Sequence, residues 1–296
     1  MTKEKEHFFE YLKVVKNVSV HTLRNYGLDL EMFEKFLGNQ SVIYADKKVI
    51  RAFLASLSEK GASKRTMLRR LSSLRSFFKY LKKEKLISFN PMEEIDSPKL
   101  DKPIPHFLSY DQVERFFAEP DVTTLHGFRD RCIMELFYSS GLRVSELVGL
   151  NRADFDQKNL RLRIRGKGKK ERVIPVTRSA AQFLADYLEH PERRFVEEDE
   201  SAIFLNKFGK RLTVRSVDRK FEEYLKSSGL AGKVTPHTIR HTIATHWLEK
   251  GMDLKTIQTL LGHSSLATTT IYTQVSTRLK RTVYEKTHPL ALKEEN

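Results

Sequence analysis

The chain has one cysteine, one tryptophan, no proline before Pro91 and no run of 18 apolar residues. A single cysteine rules out a disulfide framework within the chain and fits a reducing compartment. Cys132 stands inside the apolar stretch "CIMELF" and is read as a small buried hydrophobe. Without a long apolar run there is no transmembrane helix of ordinary length. The opening "MTKEKEHFFEYLKVV" has no uninterrupted apolar core of the kind a secretory signal needs, so the cytoplasm is the expected location. Acidic charge is also in short supply. Against 53 Lys and Arg stand 38 Asp and Glu, a net charge of +15. That excess makes a polyanion the leading partner, because neutralising phosphates releases counterions. An anionic membrane surface is the rival. It would call for a basic amphipathic helix with a lipid-seeking face or a lipidation motif, and neither is found, so no membrane partner is expected.

What is present suits a globular protein of two domains: 296 residues, 40% hydrophobic and 31% charged. Residues 1 to 98 read as helices. Leu23, Tyr26, Leu30, Phe33 and Leu37 recur at steps of three and four, as do Met67, Leu71, Leu74, Phe78 and Leu81, each series marking one helix face. Shorter patterns near 3–16 and 46–59 complete a four-helix unit, and the missing prolines agree with it. "NPMEEIDSPKLDKPIPHFLS" then brings four prolines without periodicity and reads as a linker. Beyond it, "SYDQVERFFAE" and "GFRDRCIMELFYSSGLRVSELVGL" are helical. "LRLRIRGKGKKERVIPV" alternates, breaks at Gly166 and Gly168, and alternates again, as a hairpin does. Helical patterns return near 178–189, 213–227 and from 236 onward, and "HPERRFVEEDES" reads as an exposed loop.

Between Lys60 and Lys85 lie ten basic residues and one acid, Glu84. A solvated helix face usually alternates its charges for local pairing. The near absence of acids instead favours contact with a DNA backbone through Lys64, Arg65, Arg69, Arg70, Arg75 and Lys79, which sit largely off the apolar stripe.

"HTIRHTIATH" (237–246) sets three histidines and an arginine in ten positions. A metal site, a polar patch on an ordinary helix and a phosphate holder compete to explain it. Pro236 opens a helix with Thr235 as its possible N-cap. Ile239, Ile243 and Trp247 share the core face, and His246 falls beside it. His237, Arg240 and His241 lie away from the core, near the anion-attracting N-terminus. His237 and His241 have zinc spacing but lack the glutamate of a metalloprotease motif, so no metal is expected. A guanidinium fork from Arg240, helped by His237, matches phosphate oxygens better. Arg143 follows a Ser-Gly pair at a helix start, Lys167 stands between glycines at a turn, and His263 and Tyr272 lie nine residues apart. Together they make an inventory for phosphoryl transfer on DNA: cations, a proton donor and a hydroxyl nucleophile.

In order, "GLRVSEL", "GKGKKERVIPV", "PHTIRHTIATHWL" and "LLGHSSLATTTIYTQV" resemble the successive boxes of the tyrosine site-specific recombinases of the phage integrase family, in the Xer (XerC/XerD-like) branch. The resemblance covers about 107–288. Residues 1–98 resemble the family's helical core-binding domain, including an S-x-x-T-x-x-x-Y pattern at Ser19, Thr22 and Tyr26. The resemblance implies a mainly α fold with a small β-sheet. An N-terminal four-helix, SAM-like domain (1–98) and a linker (99–106) would precede a catalytic domain with a C-terminal tail helix (107–296), the two domains closing on DNA as a C-shaped clamp. It further implies Tyr272 as nucleophile, Arg143 and Arg240 as phosphate clamps and Lys167 as the donor to the leaving 5′ oxygen. His237 would help accept the tyrosine proton, His263 would hydrogen-bond the phosphate, and Glu146 would orient a neighbouring basic group. No metal or cofactor is implied.

The activity implied is site-specific cutting and rejoining of double-stranded DNA through a 3′-phosphotyrosyl intermediate and a Holliday junction, in chromosome-dimer resolution at a dif-like site. The assembly implied is a homo- or hetero-tetramer whose tails, "STRLKRTVYEKTHPLAL" here, dock into adjacent subunits, working with a paired recombinase and an FtsK-type DNA translocase. The alternatives are a mobile-element integrase, a type IB topoisomerase-like enzyme and a non-enzymatic DNA-binding regulator.

Overall fold

In the computed structural model, the described residues are 3–98, 107–166, 171–193, 199–230 and 236–262, with Pro236 and His237 described in their backbone only. The chain divides into two compact units, Met1–Pro103 and Ile104–Asn296.

The first unit is built on four helices, α1 (Lys3–Val14), α2 (Val20–Leu37), α3 (Lys47–Glu59) and α4 (Lys64–Lys83). Three begin on side-chain caps that satisfy an otherwise unpaired first-turn N–H. Ser19 Oγ accepts from Thr22 N, Asp46 Oδ1 from Val49 N and Ser63 Oγ from Thr66 N. The Ser19-x-x-Thr22 pattern is therefore a capping device, and Tyr26 one turn later stacks on Phe8 at 6.3 Å. Leu30, Phe33, Phe53, Leu71, Leu74 and Phe78 fill the core, so the apolar stripes read from the sequence face inward.

The stretch read as a linker is partly structured. Asn90 caps a 3₁₀ turn, Pro91–Glu94, and Met92 and Ile95 join the core of the first unit. Residues 99–106 lie outside the described set.

The second unit centres on α6 (Leu125–Ser140), which follows α5 (Tyr110–Ala118). Cys132, Ile133, Leu136 and Phe137 share one broad face of α6 and are buried together in the core of this unit. The helical reading of 127–150 is interrupted at Gly141, which ends α6 in a left-handed conformation (φ 61°, ψ 28°). A β-carbon there would lie 2.5 Å from Leu261 Cδ2, so glycine allows both the turn and the close packing. The short α7 (Val144–Val148) follows.

The expected hairpin is present as β2 (Arg161–Arg165) and β3 (Glu171–Pro175), with Leu162 opposite Ile174 and Ile164 opposite Arg172. A two-residue strand, β1 (Phe155–Asp156), adds to β2 and makes an antiparallel sheet of order β1-β2-β3. Helices α8 (Arg178–Leu188), α9 (Val214–Ser227), α10 (Pro236–Glu249) and α11 (Leu254–Leu261) complete the described chain.

One loop reading needs correction. Within "HPERRFVEEDES", Arg193 is buried, its Nη2 donating to the carbonyls of Ala202 and Ile203 while its guanidinium lies over the Tyr187 ring. The ring and the two carbonyls replace the water that an exposed arginine would keep. No described helix is long and apolar enough to cross a membrane.

Candidate active site

The site is organised by the end of α11. Asp253 caps its start through Thr256 N, and Gly262 closes it in a left-handed conformation (φ 63°, ψ 47°). The last carbonyls of a helix lack helical partners and carry its partial negative charge. Here three arginines from three different elements supply the donors. Arg172 Nε on β3 donates to Leu260 O at 3.2 Å, Arg240 Nη2 on α10 to Leu261 O, and Arg143 Nη2 at the start of α7 to Gly262 O at 3.1 Å. Arg240 Nη1 also donates to the carbonyl of Gly141. The structure thus brings the two arginines singled out from the sequence to successive residues of one turn.

Glu146 ties the arginines together. It is the third residue of α7 and buried. Its Oε2 accepts from the Arg143 backbone N–H at 2.9 Å and its Oε1 from Arg143 Nη1 at 2.9 Å. Arg172 forks across the same carboxylate, Nη1 to Oε1 at 2.9 Å and Nη2 to Oε2 at 3.0 Å. Burial pushes the Glu146 pKa up, but the hydrogen bonds from Arg172 and the Arg143 backbone, with both guanidinium charges, outweigh it and hold the carboxyl below its ordinary value. Glu146 is an anion that orients two cations, where the sequence suggested one.

Arg240 is 3% exposed, whereas the Arg143 side chain is 42% exposed. His237 is the second residue of α10, one turn before Arg240, and its side chain lies outside the described residues. Lys167, His263 and Tyr272 also lie outside them. In the chain, Lys167 comes two residues after β2, and His263 directly follows Gly262. His241 is half-buried. His246 faces the interior: its Nε2 donates to Leu108 O at 3.0 Å, its Nδ1 meets Tyr138 Oη at 2.9 Å, and its ring stacks on Tyr110 at 4.0 Å.

Of the α4 cations singled out from the sequence, Lys64, Arg65, Arg69 and Lys79 are exposed, and Arg70 and Arg75 are half-buried. Arg69 pairs with the buried Asp29 at 2.6 Å, Arg70 approaches it at 3.8 Å, and Arg75 donates to Ile95 O and Ser97 Oγ, both at 2.7 Å. The acids missing from the run itself come from other segments, Asp29 on α2 and Glu93 in the 3₁₀ turn beside Lys82.

Arg172 was not singled out from the sequence, although a signal was there. On β3 it shares the side-chain parity of buried Ile174, so alternation points an arginine inward. Such a residue calls for a buried acid.

Residues 106–278 match the Phage integrase family, and residues 6–85 match Phage integrase, N-terminal SAM-like domain. The tyrosine recombinase XerC of Chlamydia pneumoniae is 52% identical over 305 residues, spanning 96% of this chain and 98% of that one. XerC of Thermodesulfovibrio yellowstonii is 43% identical over 97% of each chain. A crystal structure of the XerH site-specific recombinase bound to palindromic difH substrate shares the fold. It has a TM-score of 0.75 and 24% identity, covering 95% of this chain and 84% of that one. By sequence, the chain belongs to the phage integrase family and is a tyrosine recombinase of the Xer branch.

Proposed function

We propose that this recombinase breaks and rejoins DNA at a specific site by transferring a backbone phosphate to Tyr272. The observation that carries the reading is the gathering of Arg143 and Arg240 at residues 261 and 262, immediately before His263. A phosphate in flight between two oxygens carries extra negative charge, and fixed guanidiniums stabilise it without reorganising. Tyr272 Oη attacks phosphorus and the bond to the 5′ oxygen breaks. Lys167 donates a proton to that oxygen, His237 accepts the phenolic proton, and His263 hydrogen-bonds the phosphate. A free phenol has a pKa of about 10, so it needs both the acceptor and the cations. One phosphodiester is exchanged for another, so the bond energy is kept for rejoining and no nucleotide need be hydrolysed.

The partner is double-stranded DNA carrying a recombination site, gripped by the exposed cations of α4 together with the catalytic unit. The relatives named XerC, and the XerH structure solved on difH DNA, support chromosome-dimer resolution at a dif-like site as the biological setting. We assign the working form to a tetramer, homomeric or with a paired recombinase, in which residues 276–292 dock into the adjacent subunit, and which an FtsK-type translocase activates.

The test is strand exchange between two duplexes bearing the site, run beside relaxation of a supercoiled plasmid lacking it. Recombinant products with little relaxation are expected. Relaxation without exchange on any genomic site would replace this reading with a topoisomerase.

A further inference from the structure

Arg172 makes a geometric bridge between three elements. It stands on β3, its fork covers both oxygens of Glu146 on α7, and its Nε reaches Leu260 at the end of α11. Its side chain is 18% exposed, less than half the value for Arg143. The contact with α11 leaves little room: a β-carbon on Gly262 would lie 3.0 Å from Arg172 Cζ and Nη1.

The electrostatic consequence follows from counting charges. Arg143 with Glu146 alone would be a neutral pair, and a neutral pair attracts a phosphate weakly. With Arg172 present, two guanidiniums share one carboxylate and the cluster keeps one positive charge. The more exposed of the two arginines, Arg143, is the one able to present that charge outward. A bidentate fork also fixes the carboxylate plane, and through it the direction of Arg143.

We infer that Arg172 is a positioning residue for DNA cleavage, holding and neutralising Glu146 so that Arg143 meets the scissile phosphate with a fixed direction and an uncancelled charge. The inference rests on the proposed role of Arg143 in holding that phosphate. Chain continuity extends its reach, because β3 leads back towards the segment bearing Lys167, and Gly262 leads into His263.

The experiment compares single-turnover cleavage of two duplexes that differ only at the scissile linkage. One carries the natural phosphodiester. The other carries a methylphosphonate, in which a methyl group replaces one non-bridging oxygen and removes the negative charge. Arg172→Gln is expected to slow phosphodiester cleavage by about 100-fold, the order seen when one transition-state donor is lost, with DNA affinity unchanged. On the methylphosphonate the variant should approach the wild-type rate. Adding Glu146→Gln to Arg172→Gln should restore part of the phosphodiester rate, because it removes the carboxylate that cancels Arg143. Arg172→Lys, which keeps the charge and loses the fork, should be faster than Arg172→Gln.

Equal slowing of Arg172→Gln on both substrates, a double variant slower than the single one, or a lysine variant as slow as the glutamine variant would each overturn the inference. Arg143→Ala separates the two levels of the argument. If it does not recover on the methylphosphonate, the phosphate-holding reading itself fails. If it recovers and Arg172→Gln does not, the inference alone fails.

Discussion

Arg69 donates through Nη1 to Asp29 Oδ2 at 2.6 Å, and that carboxylate is 2% exposed. Ser73 Oγ donates to the same oxygen at 2.7 Å. The helix with the densest basic run is therefore anchored to α2 through a buried acid. Asp29→Ala would remove the acceptor shared by both donors, at a cost of about 1–3 kcal/mol for a buried hydrogen-bonding group left unsatisfied. Urea unfolding should show a lower midpoint; an unchanged midpoint contradicts the anchoring role.

Exposed and engaged cations of α4 should behave differently on DNA. Arg65→Gln and Lys79→Gln remove exposed charge, so each should reduce the slope of log K against log salt by about one unit if it meets a phosphate, without altering thermal unfolding. Arg75→Gln breaks the contacts to Ile95 and Ser97 and should lower the unfolding temperature. Binding titrations at several salt concentrations, with melting curves on the same variants, check both halves. Loss of stability in Arg65→Gln, or none in Arg75→Gln, would reverse the assignment.

His246 makes the second unit sensitive to acid. Burial lowers its pKa below the ordinary 6.5, against smaller opposing effects from Glu249 and the bond to Leu108. The folded protein therefore takes up this proton less readily than the unfolded chain. The stability it contributes is present in full above pH 6.5 and is lost as pH falls through the folded-state pKa. His246→Gln should flatten the fall in melting temperature between pH 7.5 and 5.5. A variant that retains the full wild-type acid dependence contradicts the argument.

Gly262→Ala should separate stability from catalysis. The left-handed backbone disfavours alanine by about 1 kcal/mol, a modest effect on folding. The added methyl would press on Arg172, however, and disturb Glu146 and Arg143 behind it. Melting should fall slightly, while covalent adduct formation on cognate DNA falls by about tenfold or more, as misplacement near a reacting centre commonly causes. Equal, small losses in both would show that Arg172 does not transmit the change.

Much of this architecture was legible in the sequence because its signals are local. The stripe through Leu30 and Phe33 and the alternation of Leu162 and Ile164 each depend on neighbours a few residues away. What escaped depends on distant partners. Asp29 and Arg69 are 40 positions apart, and Glu146 and Arg172 are 26 apart. No periodicity announces such pairs, so the α4 run looked short of acids and Arg172 went unremarked. β1, with two residues, is too short to show alternation at all. Arg193 misled for a related reason: its polar neighbours in the chain suggested solvent, while its actual surroundings are the Tyr187 ring and two carbonyls from a later segment.

The central claim, that Tyr272 becomes covalently joined to DNA, is tested most directly by trapping the adduct. A nicked suicide duplex carrying the recombination site lets the 5′ fragment diffuse away after cleavage, leaving the protein on the 3′ phosphate. The wild-type chain should then migrate as a protein–DNA species on a denaturing gel, and peptide mapping should find the nucleotide on Tyr272. Tyr272→Phe should bind the same duplex equally well and give no such species. An adduct that persists in Tyr272→Phe, or that maps to another side chain, would contradict the account.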